Sequence, residues 1–192
     1  DSMASGGNGD LLANNALTFG TVDAGLNLTG TSTQASITGN TANAGVNLVL
    51  TAADGIQVQN LSSGNDTRLT AGGTVSTGNL HAGHDAWIRA GGDVSMQTTT
   101  AGNRLDVDSG GALNVGDASA GHAVAFAAET IDFGGINAPD FIDLRARNGN
   151  IIGAALASRD VFLAARGDIA RDAASIGNRI NMQGTRITAN IL

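Results

Sequence analysis

The first candidates for chemistry are two aspartates that occupy equivalent places in similar segments. Asp66 and Asp85 occur in two successive segments of similar sequence, and each follows a glycine and one polar residue. If the two segments are neighbouring turns of a stacked structure, their carboxylates lie about one strand spacing, ~4.8 Å, apart. Paired carboxylates are suited to general acid-base catalysis, and some β-helix enzymes that cleave polysaccharides use such pairs on an outer face.

Opposite charges at the same spacing favour a structural role for these aspartates. Three pairs of oppositely charged residues have the same 19-residue spacing as Asp66 and Asp85. They are Asp85 with Arg104, Asp160 with Arg179, and Arg89 with Asp108. Cross-strand ion pairs of this kind contribute about 0.2–1 kcal/mol each. A general acid also needs a pocket that shifts its pKa, whereas these positions are predicted to lie on a flat, solvated face. We therefore predict rungs of ion pairs, no catalytic residues and no enzymatic activity.

The three histidines, His81, His84 and His122, are candidate metal ligands. His81 and His84 lie close together in sequence and Asp85 adjoins His84, a set of residue types that can bind zinc. His84 and His122 stand at the same place in repeats two turns apart, so ~9.6 Å separates them, too far for one ion. Other repeats have Asn at this place, and both residue types tolerate left-handed backbone at a corner. We therefore predict turn residues, with no metal and no cofactor.

Trp87 and Phe162 are the two candidate binding residues. Trp87 precedes Ile88, Phe162 precedes Leu163, and both aliphatic residues belong to a predicted inward column. Because side chains alternate along a strand, the two aromatic rings are predicted to point outward. Exposed aromatic side chains can anchor a sugar or a protein ligand, so these two residues are the predicted binding site.

The composition excludes several other functional classes. The 192 residues include no Lys and no Cys, and the formal net charge is −7. Binding of DNA or RNA requires clustered Lys and Arg, so we expect no nucleic-acid partner. No run of 18 apolar residues exists, so we expect no membrane insertion. Because 42% of residues are hydrophobic but only 3% are aromatic, the core is predicted to consist of small aliphatic side chains.

An internal repeat with a period of about 19 residues organises the chain. Its first marker is an apolar residue at Ile37, Ile56, Val75, Val94, Leu113, Ile131, Ile151, Ile169 and Ile187. Its second marker lies in mid-repeat at Leu50, Leu69, Ile88, Val107, Phe126, Leu144, Leu163 and Met182. A third apolar position includes Leu61, Leu80, Ile136 and Leu156, and Gly-containing steps separate the segments. Because three markers keep one register over so many units, the repeat is not explained by chance.

Each repeat has the pattern of short strands. Apolar and polar residues alternate in segments such as 56–58 and 105–107, as is typical of a strand with one buried face. A single unit cannot bury that face alone, whereas a solenoid buries it between successive coils. We predict an all-β fold, a right-handed parallel β-helix of about nine coils of 18–20 residues, with three short strands per coil. Residues 17–192 are predicted to form this helix as a fragment of a longer filament, and residues 1–16 to be a poorly ordered or N-terminal lead-in.

Several units resemble the repeats of the filamentous haemagglutinin family. The resemblance is carried by segments such as 64–75, Gly-Asn-Asp-Thr-Arg-Leu-Thr-Ala-Gly-Gly-Thr-Val, and 83–94, Gly-His-Asp-Ala-Trp-Ile-Arg-Ala-Gly-Gly-Asp-Val. It extends over about residues 17–192. Members of this family are very large exoproteins of Gram-negative bacteria, and their repeats form a right-handed parallel β-helix. One departure from the pattern is Ser158-Arg159-Asp160, which is a candidate surface feature.

The resemblance implies a function, partners and a location. We expect a structural or adhesive shaft segment of a large secreted bacterial surface adhesin, which mediates cell attachment or biofilm cohesion. One alternative is a stalk or receptor-binding segment of a contact-dependent growth-inhibition toxin, and a second is a β-helix carbohydrate-active enzyme. The expected partners are an outer-membrane two-partner secretion transporter and a host or bacterial surface receptor, either protein or glycan. The expected location is extracellular, at the surface of a Gram-negative bacterium.

Overall fold

The structure is a computed structural model that describes the backbone of residues 2–191 and the side chains of residues 2–171 and 176–189. These residues contain no helix and consist of strands joined by short corners. The strands are β1 (Ser2–Ser5), β2 (Gly9–Ala13), β3 (Leu17–Ala24), β4 (Leu28–Ser32), β5 (Ile37–Ala44), β6 (Leu48–Ala52), β7 (Ile56–Ser63), β8 (Thr67–Ala71), β9 (Val75–Ala82), β10 (Asp85–Ala90), β11 (Val94–Ala101), β12 (Arg104–Ser109), β13 (Leu113–Ser119), β14 (His122–Ala127), β15 (Ile131–Ala146), β16 (Ile151–Ala165), β17 (Ile169–Gln183) and β18 (Ile187–Ile191).

A coil in the middle of the chain contains three runs of residues that pair in parallel with the next coil. Residues 56–58 and 60–63 of β7 pair with β9, and Thr67–Ala71 of β8 pair with β10. The first two runs belong to one strand, which is interrupted at Gln59 because this residue has no ladder partner. About ten coils stack in this way. The structure therefore confirms the predicted parallel β-helix.

Residues 2–16 form a further coil at the start of the described chain. β1 pairs with β3 from Ser2 to Ser5, and β2 pairs with β4 from Gly9 to Ala13. Their side chains are exposed or half-buried, because within the described residues this coil has a neighbour on one side only. The segment that was predicted to be a poorly ordered or N-terminal lead-in follows the same stacking as the coils after it.

Columns of aliphatic side chains form the core. Ile56, Val58, Leu61 and Leu69 are each at most 2% exposed. Their counterparts one coil later are Val75, Thr77, Leu80 and Ile88. Burial of one Leu or Ile side chain contributes about 1.5–3 kcal/mol, and the columns repeat this contribution in every coil. All three predicted apolar positions therefore point inward, and a core of this kind needs few aromatic residues.

One member of the predicted mid-repeat column is wrong. β14 pairs with β12 so that Val107 is the partner of Ala125 and Asp108 is the partner of Phe126. Ala125 is 7% exposed, whereas Phe126 is half-buried on the outer surface. The interval between paired positions is one residue shorter here than in the coils just before, and such a shift exchanges the two sides of a strand. Phe126 therefore points outward.

Two aromatic rings fit in the core because a glycine follows each of them in the same column. Phe19 pairs with Gly39, and Phe133 pairs with Gly153. The two Phe residues are 6% and 3% exposed. A Cβ atom on either glycine would overlap the ring of the preceding coil. Because the interior is closely packed, a coil holds a ring only where the next coil leaves space for it.

Glycines at one corner are required by the close approach of successive coils. Gly64, Gly83 and Gly102 follow one another at this corner, and a Cβ on Gly83 would collide with the carbonyl oxygen of Gly64. None of the described residues has a positive φ. The left-handed backbone that we expected at the Asn and His corner is therefore absent from this part of the chain, and close approach explains the glycines instead.

Asparagines at the corner form a ladder of side-chain hydrogen bonds. Asn47 Nδ2 donates to Asn27 Oδ1 (3.0 Å), and Asn65 Nδ2 donates to Asn47 Oδ1 (3.0 Å). The backbone N–H groups of Asn47 and Asp66 donate to the same two oxygens. An Asn amide can both donate and accept, so it links the coil before it to the coil after it.

Arg171 occupies an inward position that small or apolar residues fill in other coils. It pairs with Gly153 of β16 and is 4% exposed. Burial disfavours the charged guanidinium, so it lowers the pKa of Arg171 below its ordinary value. The sequence analysis did not predict a buried charge here. Ile169, two residues earlier, continues the apolar repeat and gives no sign that an Arg follows at an inward position.

Candidate functional site

From residue 66 onward, the outward side chains of the short strand of each coil form one surface, here called the charged face. Its first column is Asp66, Asp85, Arg104, His122, Phe141, Asp160 and Arg179. Its second column is Arg68, Trp87, Asp106, Val124, Asp143, Phe162 and Asn181. Its third column is Thr70, Arg89, Asp108, Phe126, Arg145, Ala164 and Gln183.

Four long strands in the first part of the chain have a different surface. β5, β7, β9 and β11 contain no Asp, Glu or Arg, and their outward residues are Ser, Thr, Asn, Gln, Gly and one His, His81. Arg and aromatic residues dominate the energy of many binding surfaces, because they combine a large contact area with directed interactions. The charged face is therefore the surface with the residue types that are typical of binding surfaces.

The predicted ion pair between Asp85 and Arg104 does not form, although the two residues are ladder partners. Arg104 Nη2 instead donates to Asp106 Oδ2 (2.8 Å) in its own strand. Asp85 Oδ1 accepts hydrogen bonds from Asn103 Nδ2 (2.7 Å) and from the backbone N–H of Arg104 (3.0 Å). The carboxylate of Asp85 thus stabilises the corner rather than a charged rung.

The rung predicted between Arg89 and Asp108 is also replaced by another pair. The two residues are ladder partners, but Asp108 Oδ1 accepts a hydrogen bond from Arg147 Nη2 (3.1 Å). Arg147 lies 39 residues further along the chain, so this contact spans two coils. Both side chains are about half exposed, and an exposed pair of this kind contributes at most about 1 kcal/mol.

Asp160 is held at the departure from the repeat, Ser158-Arg159-Asp160. Its Oδ1 accepts from Asn178 Nδ2 (2.7 Å), and its Oδ2 accepts from Arg159 Nε (3.3 Å). The Asn178 hydrogen bond is the main reason why the pKa of Asp160 is below its ordinary value, with smaller effects of Arg159 and Arg179. The predicted rung partner, Arg179, therefore acts through its charge, whereas Asn178 and Arg159 make the hydrogen bonds.

Arg145 is the most firmly held cation of the charged face. Its Nε and Nη2 donate to Asp143 Oδ1 (2.9 Å) and Oδ2 (2.8 Å), and its guanidinium carbon lies 5.5 Å from the centre of the Phe126 ring. The hydrogen bonds to Asp143, and then its charge, raise the pKa of Arg145 above the ordinary value. A bidentate pair and a cation–π contact fix the direction of the remaining N–H groups.

Asp66, His84 and Asp85 are brought together at one corner. His84 Nδ1 lies 3.5 Å from Asp66 Oδ1 and 3.3 Å from Asp85 Oδ2, and their ligand atoms all lie within 4.8 Å of one another. One imidazole and two carboxylates are suitable ligands for a divalent metal ion. However, the Oδ1 atoms of both aspartates already accept backbone N–H groups, from Asp85 and Arg104. The absence of metal and of catalysis stays a prediction.

The other two histidines lie apart from this cluster. His81 is exposed on the outer surface of β9. His122 Nε2 lies 3.4 Å from Asp140 Oδ2, and its ring meets the edge of Phe141 with the ring centres 4.9 Å apart. His122 is the ladder partner of Arg104 on the charged face, so the prediction that it stands at the same place as His84 is wrong.

Four of the six aromatic residues lie on the charged face. Trp87 and Phe162 are half-buried there, at the outward positions that the alternation predicts. Phe126 and Phe141 join them, and neither was among the predicted binding residues. Phe141 lies three residues before an inward apolar residue, as Asp85 does, so the sequence pattern already places it on the outside. Phe126 could not be placed in this way, because the shortened interval moves it from the inside to the outside.

The side chains around Phe162 leave two shallow depressions. One, of about 270 Å³, is lined by Asp143, Arg145, Phe162, Leu163, Ala164, Asn181 and Gln183. The other, of about 340 Å³, is lined by Phe141, Asp143, Arg145, Arg159, Asp160 and Phe162. Trp87 lines neither of these two depressions. Of the two predicted binding residues, Phe162 thus has the surroundings that suit a ligand.

The described residues contain no helix long and apolar enough to cross a membrane. No protein-family profile, curated protein or solved structure matches the chain. The solenoid fold and the charged face are therefore the observations from which a function is proposed.

Proposed function

We propose that this chain is a structural and adhesive shaft segment of a large secreted bacterial surface adhesin, which mediates cell attachment or biofilm cohesion. The observation that carries the proposal is the concentration of Arg and aromatic side chains on one outward face of a regular solenoid. The resemblance of the repeats to those of the filamentous haemagglutinin family supports it as well. In the same proposal, the parent protein leaves the cell through an outer-membrane two-partner secretion transporter.

The solenoid suits a shaft because it separates stability from length. Each coil contacts only its neighbours, so further coils can be added without any change in the existing core. At ~4.8 Å per coil, such a chain gains reach steadily with the number of repeats. Parallel ladders link each coil to the next, over three runs of residues in the middle of the chain.

The charged face suits adhesion because its side chains are already held in place. Arg145 is fixed by Asp143 and Phe126, and Arg104 by Asp106. Side chains that are ordered before binding lose less conformational entropy when a partner arrives. A receptor would meet Arg and aromatic groups along several consecutive coils, and many weak contacts on one rod would add up to stable attachment.

Beads that carry the purified chain provide the test. We expect beads with the wild-type chain to attach to target cells, and beads with Trp87→Ala, Arg145→Ala and Phe162→Ala combined to attach at least several-fold less. The matched control replaces three exposed residues of long strands, Gln57→Ala, Thr98→Ala and Asn114→Ala, and attachment is expected to be unchanged. Equal attachment of the two triple variants would contradict an adhesive charged face.

The alternative of a carbohydrate-active enzyme makes a different prediction. If Asp66 and Asp85 are catalytic, the purified chain releases reducing ends from a polysaccharide, and Asp66→Asn with Asp85→Asn abolishes the release. We expect no release by the wild-type chain, because both carboxylates accept backbone hydrogen bonds at a corner. Cleavage that depends on these two residues would overturn the proposal of a non-enzymatic shaft.

A further inference from the structure

The depression beside Phe162 exists because the neighbouring outward residue is small. Ala164 lies in the same column as Arg145 of the coil before and Gln183 of the coil after. Its methyl group leaves an open floor between these two long side chains, and the Phe162 ring forms one side. The volume of about 270 Å³ is near the lower end of pockets that hold small ligands, ~300–1,000 Å³. It therefore suits a ligand of one or two small rings.

The Phe162 ring offers an apolar platform that is fixed on two sides. Asp143 precedes it and Asn181 follows it in the same column, so polar groups flank the ring along the axis of the solenoid. Phe162 is partly buried, and the rest of the residue is accessible. A flat apolar surface with polar groups at its edge is complementary to a sugar ring, which has an apolar face of C–H groups and a rim of hydroxyls.

The groups around the platform can serve those hydroxyls. Arg145 has five N–H donors, of which two bind Asp143, so the guanidinium keeps further donors in a fixed direction. The amides of Asn181 and Gln183 can each donate and accept. Hydroxyl groups also donate and accept, and they match this mixture better than a purely cationic or purely anionic group does.

The charges around the depression favour a neutral ligand over an anionic one. The guanidinium of Arg145 is already neutralised by Asp143, and Arg159 lies 3.3 Å from Asp160 and 3.9 Å from Asp140. Asp160 is ionised at neutral pH, as an ordinary aspartate is, and the hydrogen bond from Asn178 lowers its pKa further. Among the residues that line the two depressions, an anionic sugar would therefore find no unpaired cation, and it would meet a nearby carboxylate.

We propose that Phe162 and the depression over Ala164 bind a neutral sugar unit of a glycan, with the ring stacked on Phe162 and its hydroxyls bound by Arg145, Asn181 and Gln183. This inference rests on the proposed adhesive function and names the ligand class of the charged face. Phe162 is the platform, Ala164 provides the space, and the two amides give the orientation.

Titration of the purified chain with immobilised oligosaccharides tests the inference. The probes are lactose, N-acetyllactosamine and chitotriose, with 3′-sialyllactose as the acidic member. We expect binding of at least one neutral probe, a loss of about tenfold or more in affinity for Phe162→Ala, and retention for Phe162→Trp, which keeps a platform. Ala164→Gln is expected to abolish binding as well, because it fills the depression while it leaves Phe162 in place.

Two controls separate loss of the site from loss of the fold. Thr70→Ala changes the same column several coils away and is expected to bind as the wild type does. Circular dichroism and the Tm of each variant establish that the solenoid is intact, since Phe162 and Ala164 point outward. Failure of every neutral probe to bind, or unchanged binding in both Phe162→Ala and Ala164→Gln, would overturn the inference. A preference for 3′-sialyllactose would contradict its neutral character.

The same variants distinguish this inference from the proposed function. If beads attach to cells but no neutral probe binds, the adhesive function stands and the sugar site is wrong. Attachment that is lost after protease treatment of the cells and kept after periodate treatment indicates a protein receptor, and it also overturns the sugar site. If neither cells nor probes are bound, both proposals fail.

Discussion

Phe133 lies over Gly153, its partner one coil later, and its ring fills the space that a side chain at position 153 would occupy. We expect Gly153→Ala to destabilise the protein by about 1–3 kcal/mol, the usual cost of overpacking a core. Urea unfolding followed by circular dichroism measures this loss. In the double variant with Phe133→Leu, most of the loss is expected to be recovered, because the smaller side chain leaves the position free.

Gly7→Ala is the matched control, since no heavy atom lies within 4 Å of a Cβ built there. Its unfolding midpoint is expected to match that of the wild type. The relationship between Phe133 and Gly153 would be refuted if both alanine variants had the same stability, or if Phe133→Leu gave no recovery.

The corner glycines are predicted to be less tolerant than Gly153. In Gly83→Ala the new methyl group meets the carbonyl oxygen of Gly64, which belongs to the backbone and cannot rotate away. We expect a loss of at least ~2 kcal/mol, seen as a lower Tm, because the two coils must separate locally. Gly177→Ala provides the comparison, as its Cβ has only ordinary contacts. A Gly83→Ala protein with the wild-type Tm would show that close approach is not what requires glycine.

The asparagine ladder is predicted to stabilise the corner. Asn47→Ala removes one donor and one acceptor and leaves the partners in two coils without their hydrogen bonds. We expect a loss of about 1–3 kcal/mol in the free energy of unfolding. Asn79→Ala is the control, because this exposed residue makes a single side-chain bond, to Asn60 (2.9 Å). Equal effects of the two substitutions would mean that the ladder has no special role.

Asp160 is predicted to contribute stability that depends on pH. Because its pKa is lowered in the folded protein, the contribution is present above the unfolded value of about 3.9 and is lost as the pH falls through the folded value. In a titration followed by NMR of the carboxyl carbon, we expect Asn178→Ala to raise the pKa of Asp160 towards its ordinary value. Asn181→Ala, on the same strand, is expected to leave it unchanged. No change with Asn178→Ala would contradict the assigned cause.

The core was predictable from the sequence because the rule that produces it is local. An apolar residue such as Ile56 or Leu61 recurs at a nearly constant interval, and a period of two within each segment determines which side chains point inward. Ladder pairing then follows, since each coil must bury its apolar face against the next. The three inward columns and the outward positions of Trp87 and Phe162 follow from these two periods alone.

The details of the charged face were not predictable in the same way. Asp85 and Arg104 are ladder partners as expected, but Arg104 binds Asp106 because a long side chain can reach several carboxylates at similar cost. Phe126 was misplaced because a single-residue change of interval exchanges the sides of a strand, and hydrophobicity alone does not reveal the change. Surface pairs and register shifts depend on three-dimensional neighbours rather than on spacing.

The shortened interval that turns Phe126 outward also bears on how such a chain can change over generations. Paired coils differ in length by one or two residues, yet the inward columns continue past each change. The gain or loss of one residue is therefore accommodated at a corner, and the pairing of later coils is not disturbed. Such a deletion can turn a residue like Phe126 outward in one step, while Ala125 takes the inward place and the core keeps an acceptable side chain. Small changes in length thus offer this solenoid a route to new surface chemistry that does not require a point mutation in the core.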